Sequence, residues 1–508
     1  MPPDDDVTRF RNPVLDADWP DPDAIRVGED YYLVCSSFNR VPGLPVLHSR
    51  DLVNWRILTH ALPELTPREH HELPRHGGGV WAPAIRHHEG TFHIVYPDPD
   101  QGILVVSASD PAGPWSAPRT LLRGLGLIDP CPLWDEDGRT WLVHGWAKSR
   151  SGVKNRLTVV PVDTGLTTAT GPGRTVVDGD DLPGFTTLEG PKLHRRDGWY
   201  WIFAPAGGVA TGWQSVFRSR SVLGPYEERT VLHQGGTDVN GPHQGAWVDT
   251  PDGQDWFLHF QDRGAAGRVV HLQPVRWGED GWPVIGEAAD GQTCGTPVRG
   301  PRSPHGVAQR SPVLPGSDGF TTGYGPQWRW QANPRPGWAS AGGGELRLGA
   351  VPNDTGNLRL LPQVLGQPLP GVRCTATTSL RLEGTGTGRA GITVLGRDYL
   401  WAGLRSGEDG TCLVVARRAD GEHDETVLAE RELPAGGTAH LRLDVTADAR
   451  VRVHVRTGEE DWAATGPEFT ATPGQWIGAE LGLFATAPLG GPDGPAVVVG
   501  PFSLEVTP

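Results

Sequence analysis

The sequence predicts an all-β fold: a five-bladed β-propeller followed by a C-terminal β-sandwich of the jelly-roll or concanavalin-like type. Three observations predict it. One hairpin pattern recurs five times in the N-terminal part of the chain. Apolar and polar residues alternate through much of the C-terminal part. The composition is turn-rich yet globular, with 70 Gly and 48 Pro beside 20 Trp in 508 residues.

The first hairpin reads Asp18-Trp19-Pro20-Asp21-Pro22-Asp23-Ala24-Ile25, turns at Gly28, and continues as Tyr31-Tyr32-Leu33-Val34. The second reads Val80-Trp81-Ala82-Pro83-Ala84-Ile85, a Glu89-Gly90 turn, then Phe92-His93-Ile94-Val95. The third is Ile128-Asp129-Pro130-Cys131-Pro132-Leu133, an Asp137-Gly138 turn, then Trp141-Leu142-Val143. The fourth is Glu189-Gly190-Pro191-Lys192-Leu193, an Asp197-Gly198 turn, then Trp199-Tyr200-Trp201-Ile202-Phe203. The fifth is Gly241-Pro242-His243-Gln244-Gly245-Ala246-Trp247-Val248, an Asp252-Gly253 turn, then Trp256-Phe257-Leu258. Period-two apolar residues, a Gly-containing turn and an aromatic strand make each copy a hairpin. The copies return every 45–60 residues or so, roughly the spacing of propellers and arrays, and a propeller blade is a four-stranded sheet. A second sub-repeat, at Leu47–Trp55, Val106–Trp115 and Phe217–Tyr226, reads as the outer half of blades one, two and four.

Residues 1–295 are therefore assigned to the propeller, with residues 1–11 as a loosely held lead-in. Residues 296–317 are rich in Pro, Gly, Ser and Arg and read as a linker extended along the propeller. Residues 318–508 form the sandwich. There Val372, Cys374, Ala376, Thr378, Leu380 and Leu382 alternate with mostly polar residues, as do Leu441, Leu443 and Val445, and Val451, Val453 and Val455. Such strands have one buried face, and two sheets of them pack face to face. No amphipathic helix of convincing length is present.

The formal net charge of −15 and the absence of a basic run argue against nucleic acid as a partner. The five cysteines are scattered without metal-type spacing, which points to buried free thiols. The acidic start, Met1-Pro2-Pro3-Asp4-Asp5-Asp6, has no apolar core of a signal peptide, and no apolar run approaches a membrane span. A cytoplasmic protein without a membrane partner is the expectation. Self-association as a homo-oligomer is left open.

If the first strand of each hairpin is the innermost of its blade, Asp21, Trp81, Asp129, Glu189 and His243 face one channel. Three carboxyls, an indole and an imidazole around an axial pocket suit the cleavage of a sugar. Glycoside hydrolysis needs two carboxyl groups flanking the scissile bond, one protonated and one ionised. Glu189 is the better acid: its arm is long, and Leu188 and Gly190 can desolvate it. Asp21 is the better base, because two prolines stiffen its backbone. Asp129 is the third acid, a like charge that would raise the pKa of Glu189. Trp81 would stack on a sugar face and Phe38 would wall the pocket. Arg263 would bind sugar hydroxyls through its guanidinium fork. His243 would hold water or a cation on the axis. Each also has a plain structural reading: turn-forming Asp, blade packing for the aromatics, a backbone-bonded core His, and a surface ion pair for Arg263.

These runs, together with Asn12-Pro13-Val14-Leu15, Ser36-Ser37-Phe38, Pro42-Gly43-Leu44-Pro45-Val46 and His48-Ser49-Arg50-Asp51-Leu52-Val53-Asn54-Trp55, resemble glycoside hydrolase family 43. The resemblance implies a five-bladed propeller. It also implies inverting, exo-acting hydrolysis that releases terminal β-D-xylosyl or α-L-arabinofuranosyl units from oligosaccharides. It implies Asp21 as general base, Asp129 as pKa modulator and Glu189 as general acid. Trp81 and Arg263 are implied as substrate contacts, and His243 as lying near an axial water or calcium site. No cofactor is required for the chemistry, and a structural Ca2+ on the axis is the one metal suggested. Trp328-Arg329-Trp330, Arg389-Ala390-Gly391, Gly396-Arg397-Asp398-Tyr399 and Gly500-Pro501-Phe502 resemble the sandwich of the xylosidase-like branch. In that branch the sandwich packs on the propeller and can help to close the pocket; no closing residue is legible here. The runs 241–245 and 260–263 resemble a subgroup with both xylosidases and arabinofuranosidases, so the sugar stays open. The alternative from another class is a non-catalytic glycan-binding propeller or lectin, which loss of one acid would favour. A retaining, invertase-like enzyme is disfavoured by the sequences around all three acids.

Overall fold

Every hairpin of the repeat becomes the inner half of a four-stranded antiparallel sheet. A computed structural model describes residues 8–352, 356–434, 436–489 and 494–507. Blade one is β1 (Asp23–Val27), β2 (Asp30–Val34), β3 (Gly43–Ser49) and β4 (Arg56–Leu62). Blade two is β5 (Ala84–His88), β6 (Thr91–Asp98), β7 (Gly102–Ala108) and β8 (Arg119–Arg123). Blade three is β9 (Leu127–Trp134), β10 (Thr140–Trp146), β11 (Arg156–Val162) and β12 (Arg174–Asp178). Blade four is β13 (Lys192–Arg196), β14 (Trp199–Ala206), β15 (Trp213–Ser219) and β16 (Glu227–His233). Blade five is β17 (His243–Asp249), β18 (Asp255–Asp262), β19 (Arg268–Trp277) and β20 (Pro283–Ile285).

The turns explain the registers. Glu89-Gly90 and Asp197-Gly198 have φ of +47° and +77°, and of +51° and +72°. Both central residues are left-handed, as a two-residue type I′ hairpin requires. The inner strands meet across the axis: β1 touches β5 and β17, and β9 touches β5 and β13. The apolar core is divided into clusters shared by neighbouring blades. Leu33 and Leu47 of blade one, for example, pack with Leu258 and Leu272 of blade five. Ile202 and Phe217 of blade four pack with Val143 and Val159 of blade three. Central blade strands are thus buried on both faces, which is why they read as nearly continuous apolar runs.

The expected loose lead-in is corrected in part. Residues 1–7 lie outside the described residues, but from residue 8 the chain is held. Phe10 is buried with its ring 6.2 Å from Trp256, and its amide donates to Pro301 O. The Val14 and Leu15 amides donate to Val270 O, which laces the start of the chain to the last blade. The linker runs along blade one: Tyr31 Oη meets His305 Nε2 at 3.0 Å and the Arg310 amide donates to Asn54 Oδ1 at 2.7 Å.

The C-terminal part is a sandwich of an eight-stranded and a nine-stranded sheet. Arg373–Glu383, Ala439–Val445 and Arg450–Thr457 lie in the nine-stranded sheet, and the alternation seen in their sequence is their buried face. The one α-helix among the described residues is the four-residue α1 (Lys148–Ser151), and no described helix could cross a membrane. All five cysteines are free; Cys35, Cys131 and Cys374 are buried, whereas Cys294 and Cys412 are half-buried.

The two parts meet through backbone and charge. Val41 and Trp330 exchange backbone hydrogen bonds. Arg40 of the propeller meets Glu480 of the sandwich at 2.6 Å, with both side chains at most 4% exposed, and Arg329 approaches the same carboxylate. Removing one partner of a buried pair strands the other charge and costs about 3–5 kcal/mol. Glu480→Ala is expected to lower stability by about that amount, read as a loss in urea midpoint; an unchanged midpoint would show the interface charge to be solvated.

Candidate active site

Two of the three acids sit in strained backbone. Asp21 and Asp129 each precede a proline, and each has left-handed φ, +56° and +54°. Non-glycine residues in that region cost about 1–3 kcal/mol and persist where surrounding contacts hold them. Here the contacts are specific. Asp21 Oδ1 accepts from Arg268 Nη1 at 2.8 Å, and Oδ2 accepts from Ser36 Oγ. Asp129 Oδ2 accepts the Gly190 amide at 2.8 Å. Gly190 has φ +60°, and a Cβ there would lie 2.4 Å from Gln244 Cγ. Glycine is therefore required beside Glu189, and its amide is what holds Asp129 against the neighbouring blade.

The three carboxyls line one cavity of about 260 Å³ in company with Phe38, Trp81, Arg268 and Trp476. Glu189 Oε1 accepts from His243 Nε2 at 2.9 Å. His243 is buried and its Nδ1 has no hydrogen-bond partner. The tautomer with the proton on Nε2 leaves no buried N–H unpaired, so His243 donates to Glu189. Trp81 is fixed by its Nε1 donating to Gly77 O at 2.9 Å; Phe38 meets it edge-on at 6.4 Å and the Arg150 guanidinium lies 5.6 Å from its ring centre.

Burial, and then the Glu189 carboxylate beside it, holds the Asp129 carboxyl well above the usual carboxylate range. Asp129 is the carboxyl sealed from solvent, while Glu189 remains a quarter exposed. A carboxyl whose folded pKa is raised adds stability below its unfolded value, about 3.9, and that stability is lost as pH rises through the folded value. Asp129→Asn is expected to gain in melting temperature relative to the wild type as pH is raised from 5 to 8. Parallel curves would show that Asp129 carries no such penalty.

One sequence expectation is corrected. Arg263 does not line the cavity: Nη1 donates to Asp16 Oδ1 at 2.9 Å and Nη2 to Gly371 O at 3.1 Å, so it fastens the propeller to the sandwich. His243, expected near an axial water or calcium site, has its Nε2 on Glu189 and its Nδ1 without a hydrogen-bond partner. Calcium takes six to eight oxygen ligands; among the described residues no group of three or more His, Cys, Asp or Glu could hold a metal ion.

Two residues that line the cavity were not found by sequence reasoning. Arg268 opens β19, five residues beyond Arg263, after a 3-10 turn that separates the two arginines. Trp476 arrives from a sandwich loop, left-handed at φ +63° and close enough that a Cβ on Gly77 would lie 3.0 Å from its Cδ1. A tryptophan in Gly474-Gln475-Trp476-Ile477-Gly478, exposed and flanked by glycines, was the only local signal.

Comparison with known proteins bears on the family and the fold. The family model described as glycosyl hydrolases family 43 matches residues 10–283, and that of the beta xylosidase C-terminal concanavalin A-like domain matches residues 317–498. The chain is 35% identical over 496 residues to a putative beta-xylosidase of Xylanibacter ruminicola, covering 94% of this chain and 86% of the relative. It is 32% identical over 464 residues to a non-reducing end alpha-L-arabinofuranosidase of Bacteroides ovatus, covering 86% and 83%. The crystal structure of a xylan beta-1,4-xylosidase from Bacillus halodurans superposes with a TM-score of 0.85 at 25% identity, covering 98% of this chain and all of that one.

Proposed function

The chain belongs to glycoside hydrolase family 43, and from that premise we propose that it removes terminal β-D-xylosyl or α-L-arabinofuranosyl units from oligosaccharides with inversion at the anomeric carbon. It is an exo-acting glycosidase. The observation that carries the detailed reading is the convergence of Asp21, Asp129 and Glu189 on one cavity, each with a different partner.

The roles follow from those partners. Asp21, paired with Arg268, is the base: it takes a proton from a water molecule as that water attacks the anomeric carbon. Glu189 is the acid. His243 occupies its Oε1, which leaves Oε2 to carry the proton delivered to the departing glycosidic oxygen. Water supplies hydroxyl to the sugar, the C–O bond breaks, and the two carboxyls exchange their proton difference with solvent. Asp129 fixes the Gly190 amide and so the start of the Glu189 strand. Trp81 and Trp476 wall the sugar, and the cavity lies just below the usual range for ligand pockets, about 300–1,000 Å³, which suits one terminal residue.

The test is a side-by-side rate on nitrophenyl β-D-xylopyranoside and nitrophenyl α-L-arabinofuranoside, with Asp21→Ala as control. Activity on either, lost in the control, supports the reading and ranks the sugars; the anomer first released, followed by proton NMR, decides inversion. Binding of xylobiose without turnover would instead support a glycan-binding propeller.

A further inference from the structure

The sandwich reaches the cavity through one loop, and a buried carboxylate of the propeller braces the segment on which that loop packs and which carries the arginine on Asp21. The loop places Trp476 against the cavity. Beyond its tip the loop is pinned: the Ala479 amide donates to Ala265 O at 2.7 Å, and Glu480 meets Arg40. Gly478 lies so close to the propeller that a Cβ there would be 2.7 Å from the Gly267 nitrogen. At this junction stands Asp18, 5% exposed. Its Oδ1 accepts the Arg268 amide at 2.8 Å, and a Cβ on Gly267 would lie 2.1 Å from that oxygen, so Asp18 and Gly478 both press on Gly267. Arg268 then holds Asp21 through its guanidinium.

Asp18 therefore braces the Gly267-Arg268 segment, on which the Trp476 loop packs and from which Arg268 reaches Asp21. It does so against its own environment, since burial pushes its carboxyl up to about 6 in spite of the Arg268 amide. A charge kept at such a cost at the seam of a composite site serves the placement of what it braces.

We propose that Asp18 is a positioning residue that sets the Trp476 loop of the sandwich in register with Arg268, so that the wall of the sugar site and its charged floor are assembled as one unit. The proposal rests on the glycosidase reading, and one of its measurements does not.

Asp18→Asn keeps the volume but offers one acceptor oxygen and no charge. It is expected to raise KM for the better nitrophenyl glycoside about tenfold with kcat changed less than about threefold, the pattern of lost uniform binding. Its melting temperature at pH 7.5 is expected not to fall, because a desolvated charge has been removed. Trp476→Ala is expected to raise KM to a similar extent. The double variant is expected to lose no more than the larger single loss, because Asp18 acts through Trp476. Multiplying losses, or a lower melting temperature with unchanged KM, would overturn the proposal. The measurement independent of activity, and of whether the variant folds, is hydrogen exchange in the wild-type protein. The amides of 474–479 are expected to exchange at least about tenfold more slowly than those of the exposed turn 457–461; equal rates would overturn the proposal even if the enzyme proved active. An inactive wild type with a protected loop would instead count against the glycosidase reading alone.

Discussion

Glu189→Gln is expected to lower kcat on xylobiose about 10²–10⁴-fold, the usual worth of general acid–base assistance, and to cost far less on a nitrophenyl glycoside. Glutamine keeps an oxygen for the proton of His243 Nε2 and keeps the length of the arm, so the wall of the cavity survives. It has no proton of suitable acidity to give. A sugar alkoxide is a poor leaving group and needs that proton as the bond breaks; nitrophenolate leaves without it. The comparison of two substrates on one variant therefore isolates proton donation from packing. Equal losses on both would mean that Glu189 acts otherwise, and a small loss on xylobiose would move the acid to another residue. The buried Asp129, whose carboxyl is held protonated toward neutral pH, is the nearest alternative donor. Its Oδ2 is taken by the Gly190 amide, so it is the poorer one.

What could be read in the sequence follows from how local the signal was. The blades were legible because each inner hairpin carries its own turn chemistry: Asp197-Gly198 adopts the left-handed pair that its register demands. The acids were legible because each stands one or two residues before a proline at equivalent points of a repeat, and a repeat maps sequence position onto radius in a propeller. Arg263 misled for the opposite reason. Nothing in Gln261-Asp262-Arg263-Gly264 shows that the strand ends there and that a 3-10 turn must pass before the chain re-enters the cavity at Arg268. Its partner, Asp16, is 247 residues away. Trp476 was beyond local reasoning altogether: its place depends on how one domain docks on another, and that is set by Arg40, Glu480 and the Val41–Trp330 bridge. His243 lay between the two cases. Its position on the axis was legible, but its chemistry depended on which neighbour took its Nε2.

Asp21→Gly is expected to lower kcat about 10²–10⁴-fold on xylobiose and on the nitrophenyl glycosides alike, because attack by water is needed whatever group departs. Glycine is the informative replacement. At φ +56° it relieves backbone strain instead of adding to it, whereas alanine would keep the strain without the contacts that hold it. The substitution also leaves the Arg268 guanidinium, about 8% exposed, without its anion. Breaking a buried pair in this way costs about 3–5 kcal/mol, so the lost rate has two sources, a missing base and a disturbed arginine. Formate separates them. It is small enough to enter the space left by the side chain, it carries the same carboxylate, and Arg268 and Ser36 remain as its binding partners. Formate is expected to restore part of the turnover in Asp21→Gly and to leave Glu189→Gln unaffected. If it restored the melting temperature but no turnover, Asp21 would be a partner of Arg268 and the base would lie elsewhere. If it restored both, the carboxylate beside Arg268 would be identified as the group that takes the proton of the attacking water.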